Sequence, residues 1–260
     1  MRDGSVGLVP DADRPTVRGL FAEGGEEYDR LRPGYPPEAV SVLAPGSGRD
    51  VVDVGAGTGK LTRALLARGH RVVAVEPSAD MRATLTRSVP GLRVVAGTGE
   101  DTGLAAGCAD AVTYAQAWHW TDAEAAGREA ARLLRAGGTL GMVWNMFDTE
   151  TAWMTDLERA MHASLRAWRP EPAGGVAALE PGGPFGPRHR EVVRWTDVVP
   201  LADLRLQVRT RSYYLEGTPQ ERAQIDDAVG EAISVHFPGA AQDTDVEVTY
   251  VTTVDRYERA

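Results

Sequence analysis

The chain has 260 residues, 28 basic and 37 acidic, for a net charge of −9 with neutral histidines, and a single cysteine, Cys108. A chain of this length buries most of its unfolded surface without a staple, and one cysteine excludes both an internal disulfide and a thiolate zinc cluster. The acidic balance argues against nucleic acid or an anionic membrane as partner, because both demand a basic footprint.

Met1-Arg2-Asp3-Gly4-Ser5 lacks the apolar core of a signal peptide, and no apolar run reaches membrane-spanning length. A cytoplasmic protein without a membrane partner is therefore expected. Residues 1–20, polar and broken by Gly4, Pro10 and Pro15, are expected to form a flexible tail. Phe21 to Tyr28 suits a short helix, which Arg32-Pro33-Gly34-Tyr35-Pro36-Pro37 ends, and a second helix is predicted from Glu38 to Leu43. Asp50 to Val54 is an apolar run ending in glycines and reads as a buried strand. Leu61 to Ala67 has apolar residues at helical spacing, closed by Gly69; Arg71 to Val75 is a second buried strand and Met81 to Leu85 is helical. Leu92 to Val95 and Ala111 to Tyr114 supply strands three and four. A helix from Asp122 to Leu134, with Gly137 and Gly138 beyond its end, leads into a fifth strand from Thr139 to Trp144. Residues 151–168 look helical, and 170–187, rich in Pro and Gly, reads as a loop. Val192 to Val199 and Val246 to Val254 alternate like strands that finish the sheet, with helical stretches near 201–215 and 219–236. Strands alternating with helices at this pitch imply right-handed βαβ units. The predicted fold class is α/β: a doubly wound, Rossmann-like, seven-stranded and mostly parallel sheet, with helices on both faces and a helical cap.

The sharpest motif is Asp53-Val54-Gly55-Ala56-Gly57-Thr58-Gly59, where the first strand hands over to a helix. Glycines there let the backbone turn tightly and approach a ligand, and the helix start offers free N–H groups. Spacing separates the possible nucleotide sites. A dinucleotide fingerprint counted from Gly55 needs glycine where Lys60 stands. A P-loop ending at Gly59-Lys60 needs glycine at Val54 and Ser or Thr at Leu61. What remains is the acidic-x-G-x-G-x-G form, or an ordinary tight βα turn.

That segment resembles the first motif of class I S-adenosylmethionine-dependent methyltransferases, and further segments match in order. Glu76, ending Val72-Val73-Ala74-Val75-Glu76-Pro77-Ser78, resembles the family's acidic residue for the ribose hydroxyls. Gly97-Thr98-Gly99-Glu100-Asp101 resembles the adenine-side loop, with Thr98 where the family often has Asp. Ala115-Gln116-Ala117-Trp118-His119-Trp120 resembles the segment flanking methionine and substrate, and Arg132 to Leu140 the helix-to-strand-five signature. Tyr28-Asp29-Arg30-Leu31-Arg32-Pro33-Gly34-Tyr35-Pro36, taken with Trp118-His119-Trp120, is similar to the trans-aconitate methyltransferase-like small-molecule branch. The resemblance implies S-adenosylmethionine as cofactor and S-adenosylhomocysteine as product. It assigns the cofactor to Asp53, Gly55, Ala56, Gly57, Thr58, Gly59, Glu76, Pro77, Met81, Gly99, Glu100, Gln116 and Arg32. It divides residues 21–260, as one domain, into a lid (21–36), a cofactor core (50–147) and a cap with substrate region (148–245), the final strands running to 260.

Methyl transfer is an in-line displacement at a sulfonium carbon, so positioning and desolvation dominate and no metal is expected. Aromatic faces near the sulfonium help by cation–π attraction, and Tyr28 and Trp120 are the candidates. A carboxylate acceptor arrives ionised, whereas a phenol or carbon acid needs a base. Of the five histidines only His119 stands at the carboxyl end of a predicted strand, where ligands bind in such sheets. Base, or neutral pocket wall, are its two readings; Tyr28 is the second candidate for the catalytic centre. Trp144, Tyr213 and Tyr214 join Tyr28 and Trp120 as expected pocket linings, and Arg32 or Arg211 could hold an anionic acceptor. The expected function is methyl transfer to an oxygen, or else carbon or nitrogen, of a small molecule by a monomer or homodimer without a nucleic-acid partner. The rival readings are a cofactor-binding protein of the same fold with a cyclase or regulatory role, and an RNA or protein methyltransferase.

Overall fold

A computed structural model describes residues 25–164 and 180–260. The expected tail, the start of the first helix and most of the 170–187 loop lie outside the described residues.

Seven strands form one sheet in the order β3-β2-β1-β4-β5-β7-β6. Strands β1 (Asp50–Val54), β2 (Arg71–Val75), β3 (Arg93–Val95), β4 (Ala109–Ala115) and β5 (Leu134–Phe147) pair in parallel, and β7 (Asp245–Glu258) runs antiparallel between β5 and β6 (His189–Pro200). The near-continuous valine of β1 follows from burial on both faces. Val51 packs with Leu43 of α2 (Pro37–Leu43) and with Leu61 and Leu65 of α3 (Lys60–Ala67). Val52 and Val54 pack on the other face with Ala126, Ala130 and Leu133 of α5 (Ala123–Leu133). Helix α1 (Gly25–Leu31) precedes this core, and α4 (Ala79–Ser88) follows β2, its Leu85 packing with Ala56 and Ala74. A separate apolar cluster joins Phe147 and Tyr250 to α6 (Ala152–Met161), α7 (Leu201–Arg209) and α9 (Pro219–His236) through Met154, Leu204 and Ile225. This is the helical cap. Among the described residues no helix is long and apolar enough to cross a membrane.

Two expectations need correction. Gly137 and Gly138 do not link a helix to a strand: α5 stops at Leu133 and β5 begins at once, since Leu134 is already extended (φ −71°, ψ 144°). The register steps from Ala109↔Leu134 to Ala111↔Thr139, so the glycines sit in a bulge, with Gly137 at φ 70°. Arg135, inside that bulge, bonds Asp110 (2.6 Å) and Asp50 (3.0 Å) and ties the three strand starts together. The helical stretch near 201–215 is two helices, α7 and α8 (Ser212–Glu216), because Arg211 between them is extended (φ −77°, ψ 145°).

Candidate active site

The β1–α3 turn is fixed by backbone bonds: Gly55 N and Ala56 N donate to Val75 O at 2.8 and 3.1 Å. Its glycines at 55, 57 and 59 have φ of 66°, 56° and 92°, a region that residues with side chains rarely adopt. Two of them differ in a telling way. A Cβ on Gly59 would collide with Leu85 Cδ1, so that glycine serves the packing of α3 on α4. A Cβ on Gly57 would meet nothing within 4 Å, so its bare backbone faces open space.

Glu76, 5% exposed at the end of β2, turns its carboxylate to this loop. Oε2 accepts from Gly57 N and Oε1 from Ser78 N, both at 2.8 Å. Each oxygen has about two lone-pair directions, which leaves one on each for a diol. Burial raises the pKa of Glu76, opposed by those two amides. Alongside, Pro77, Ser78, Ala79, Arg82, Ala96 and Gly97 line a cleft of about 460 Å³. Arg82 fixes its wall by donating to the carbonyls of Glu76 and Pro77 at 2.8 Å.

The other expected cofactor residues take varied places. Asp53 is fully buried and its carboxylate accepts from Thr62 Oγ1 (2.6 Å) and Thr113 Oγ1 (3.1 Å), so it braces β1 against α3 and β4 instead of facing the cleft. Burial lifts its pKa to about 6, against the lowering effect of both hydroxyls. Ala56 and Met81 are buried apolar residues. Thr58 gives its hydroxyl to Asp29 (2.8 Å). Glu100 accepts from Asp122 N (2.9 Å), which ends its side chain at the start of α5, and Gly99 O accepts from Tyr114 OH (3.2 Å). Gln116, at φ 53°, is the one non-glycine residue of positive φ among the described residues, and its Nε2 donates to Asn145 O (2.8 Å). Such strain concentrates where a strand end meets a ligand.

A 3₁₀ turn, Trp118–Trp120, follows β4. Trp118 is core, edge-on to Tyr114 with ring centroids 4.8 Å apart. His119 is exposed to solvent, and its ring lies 5.1 Å from that of the half-buried Trp120. Desolvation by the neighbouring protein, together with the positive charge of Arg32, lowers its pKa to about 4. The imidazole is therefore neutral through the physiological range.

Residues 25–34 meet the glycine loop, the sheet and the cap through side chains outside the expected site. Asp29 Oδ1 accepts from Thr58 Oγ1 and from Arg63 Nη2 (2.6 Å), while Gly25 N donates to Asp80 (3.1 Å). Asn145 Nδ2 donates to Gly34 O (2.7 Å) and Gln207 Nε2 to Leu31 O (3.0 Å). Asp29 adjoins the expected site residue Tyr28 in the Tyr28-Asp29-Arg30 motif. From the cap come Tyr213, whose ring lies 4.6 Å from that of His162, and Arg211. Two expected pocket residues are elsewhere. Trp144 is 4% exposed within the core on the α5 side of the sheet. Tyr214 donates to Asp226 of α9 (2.9 Å) under Arg222, because successive residues of α8 face different ways. Among the described residues no three His, Cys, Asp or Glu side chains gather as a metal site.

A bare glycine backbone facing open space, a buried carboxylate with capacity for a diol and a cleft beside it suit an adenosyl cofactor. Residues 52–142 match the family described as a methyltransferase domain. The chain is 38% identical over 229 residues to an uncharacterized methyltransferase of Mycobacterium tuberculosis, covering 88% of this chain and 91% of that one. Of the solved structures, a candidate type II methyltransferase from Anaeromyxobacter dehalogenans is similar with a TM-score of 0.57 and 25% identity, covering 86% of this chain and 97% of its own. A candidate methyltransferase from an antibiotic biosynthesis pathway of Anabaena variabilis shares the fold, with a TM-score of 0.51 at 20% identity over 84% of this chain and 95% of its own. The kinship runs through cap as well as core, and the chain belongs to the class I methyltransferases, enzymes whose methyl donor is S-adenosylmethionine.

Proposed function

We propose that the enzyme transfers the methyl group to an oxygen of a small organic acceptor enclosed between lid and cap. One observation carries this reading: the chain's own lid lies over the carboxyl ends of β1 and β5, tied down at Thr58, Asn145 and Gln207 of the cap. Such a roof suits a confined acceptor better than a polymer lying on an open face, and the net charge of −9 agrees. The similarity of the lid motif and Trp118-His119-Trp120 to the trans-aconitate-like branch supports a small-molecule acceptor as well.

When bound, the cofactor supplies an electrophilic methyl on a sulfonium. Gly57 and Glu76 would hold it, and the lid would exclude water from an acceptor oxygen placed in line. Tyr28 and Trp120 are the aromatic faces for the sulfonium. His119, neutral and held to a pKa of about 4, is poorly matched to general-base work near neutrality and better suited to lining the acceptor site. An oxygen that arrives ionised needs no base, so an oxyanion acceptor fits this site best.

The test supplies S-adenosylmethionine carrying a labelled methyl group and offers small-molecule, RNA and protein fractions of a cell extract separately. Label should enter the small-molecule fraction and be released by alkali, as from a methyl ester. Label confined to RNA or protein, or cofactor that binds and is never demethylated, would contradict the reading.

A further inference from the structure

We propose that Arg32 of the lid and Arg211 of the cap form a two-armed clamp for an anionic group of the acceptor, and that this anion draws the lid shut over the cofactor. The proposal rests on the methyltransferase reading and names its acceptor class.

The two guanidiniums stand out against their neighbours. Two residues before each lies an arginine in an ion pair: Arg30 with Asp203 (2.6 Å) and Arg209 with Asp226 (3.1 Å). Arg32 and Arg211 have no carboxylate within ion-pair distance among the described residues. Each instead lies over an aromatic face: Arg32 over Tyr28 at 5.3 Å and Arg211 over Phe147 at 5.0 Å. Nε of Arg211 and the hydroxyl of Tyr213 are shut off from water and have no hydrogen-bond partner. These are donors held ready for an acceptor atom. Glu158 is buried within electrostatic reach of Arg211, but its carboxylate lies towards His162, with Oε1 3.8 Å from Nδ1, and burial raises its pKa. It is a poor counter-ion.

One set of contacts links the two arms: Gln207 Nε2 donates to Leu31 O, next to Arg32, and to Tyr250 OH, and the Tyr250 ring lies 5.4 Å from that of Phe147, which Arg211 covers. In keeping with that, burial first and then the charge of Arg32 lower the pKa of Arg211, and Arg32 also acts on His119 after β4. A chain of net charge −9 thus holds two half-buried cations without counter-ions among the described residues, and leaving partly desolvated charge uncompensated is costly. A carboxylate or phosphate between them would accept both forks and the Tyr213 hydroxyl.

The two arms belong to different parts of the chain, the lid and the cap. Without an anion they repel and favour an open lid; with one they hold lid and cap together. Because Asp29 of the same lid bonds Thr58 of the glycine loop, closure also secures the cofactor. Linkage then makes the effect reciprocal: the anion must tighten cofactor binding by the factor by which the cofactor tightens anion binding.

The experiment measures S-adenosylhomocysteine affinity by calorimetry at constant ionic strength, alone and with saturating succinate, benzoate, inorganic phosphate or neutral succinamide. Wild type, Arg32→Gln, Arg211→Gln and Arg211→Lys are compared, and each probe's shift of melting temperature is recorded without cofactor. In wild type at least one anion should tighten cofactor binding about fivefold or more, and succinamide should not. The effect should vanish in both Gln variants and persist in part in Arg211→Lys. Arg211→Gln should melt no lower than wild type, which a purely structural arginine would not allow. A response to phosphate alone supports the clamp and assigns it a phosphorylated acceptor; a response to carboxylates assigns a carboxylic acid. Anions without effect on either affinity or melting, or Gln variants that respond like wild type, overturn the clamp while leaving the methyltransferase reading intact. Failure of the cofactor itself to bind would overturn that reading, and the melting shifts would still decide the clamp.

Discussion

Replacing Gly57 and Gly59 by alanine in separate variants discriminates a ligand cradle from an ordinary turn. Both positions have positive φ, 56° and 92°, and a side chain in that conformation costs about 1–2 kcal/mol. At Gly57 nothing lies within 4 Å of the added methyl, so that backbone cost is the whole of the penalty, roughly 2–8 °C in Tm for a chain of this size. At Gly59 the methyl meets Leu85, adding about 1–3 kcal/mol of overpacking. Cofactor affinity should show the reverse order. On the proposed reading the cofactor approaches Gly57, and a loss of ~2 kcal/mol or more there means binding weakened ~30-fold or more. Differential scanning fluorimetry and calorimetry with S-adenosylhomocysteine measure the two effects on the same samples. A Gly57→Ala protein that binds as wild type does, or that is less stable than Gly59→Ala, refutes the reasoning.

Glu76→Ala should weaken cofactor binding ~10–150-fold while the fold survives, since hydrogen bonds to a charged acceptor contribute roughly 1.5–3 kcal/mol; an unchanged Kd removes Glu76 from the site. His119→Ala should raise KM more than it lowers kcat, and wild type should show no pH–rate limb near 6.5 from this residue, because its pKa is about 4. A kcat lowered a hundredfold, with a limb abolished, would make His119 the base. Asp53 has a pKa of about 6 in the fold against about 4 unfolded, so between those values the native state binds the extra proton. Relative to Asp53→Asn, wild type should gain stability as pH falls from 7 to 4, by up to ~3 kcal/mol; denaturant titrations showing a constant or opposite difference exclude this.

The parallel core was legible because its information is local. Asp50–Val54 and Arg71–Val75 are buried on both faces and so read as continuous apolar runs, and the glycines at 55, 57 and 59 mark the turn by composition alone. The helical stretch near 219–236 is the helix Pro219–His236, which starts on a proline and a Thr218–Glu221 capping box, both local features. The contacts that assemble the site depend instead on how distant segments meet. That Asp29 closes on Thr58 and Asn145 holds Gly34 is set by the approach of the lid to the sheet. The bulge in β5 is held by Arg135, which reaches back to Asp50 and Asp110. Periodicity likewise could not distinguish Tyr213, enclosed beside His162, from Tyr214 on α9, nor foresee that Trp144 faces the core. Asp53 fits its motif by type, yet its carboxylate bonds two threonines from α3 and β4.

The most direct test of the account is calorimetric titration of the purified protein with S-adenosylmethionine, S-adenosylhomocysteine and NAD. Both sulfur ligands should bind with micromolar Kd, about −8 kcal/mol, with Glu76→Ala weakening both and NAD giving no heat of binding. NAD bound in preference to either sulfur ligand, or sulfur ligands bound equally well by Glu76→Ala, would contradict the assignment of the cofactor to Gly57, Glu76 and the cleft alongside.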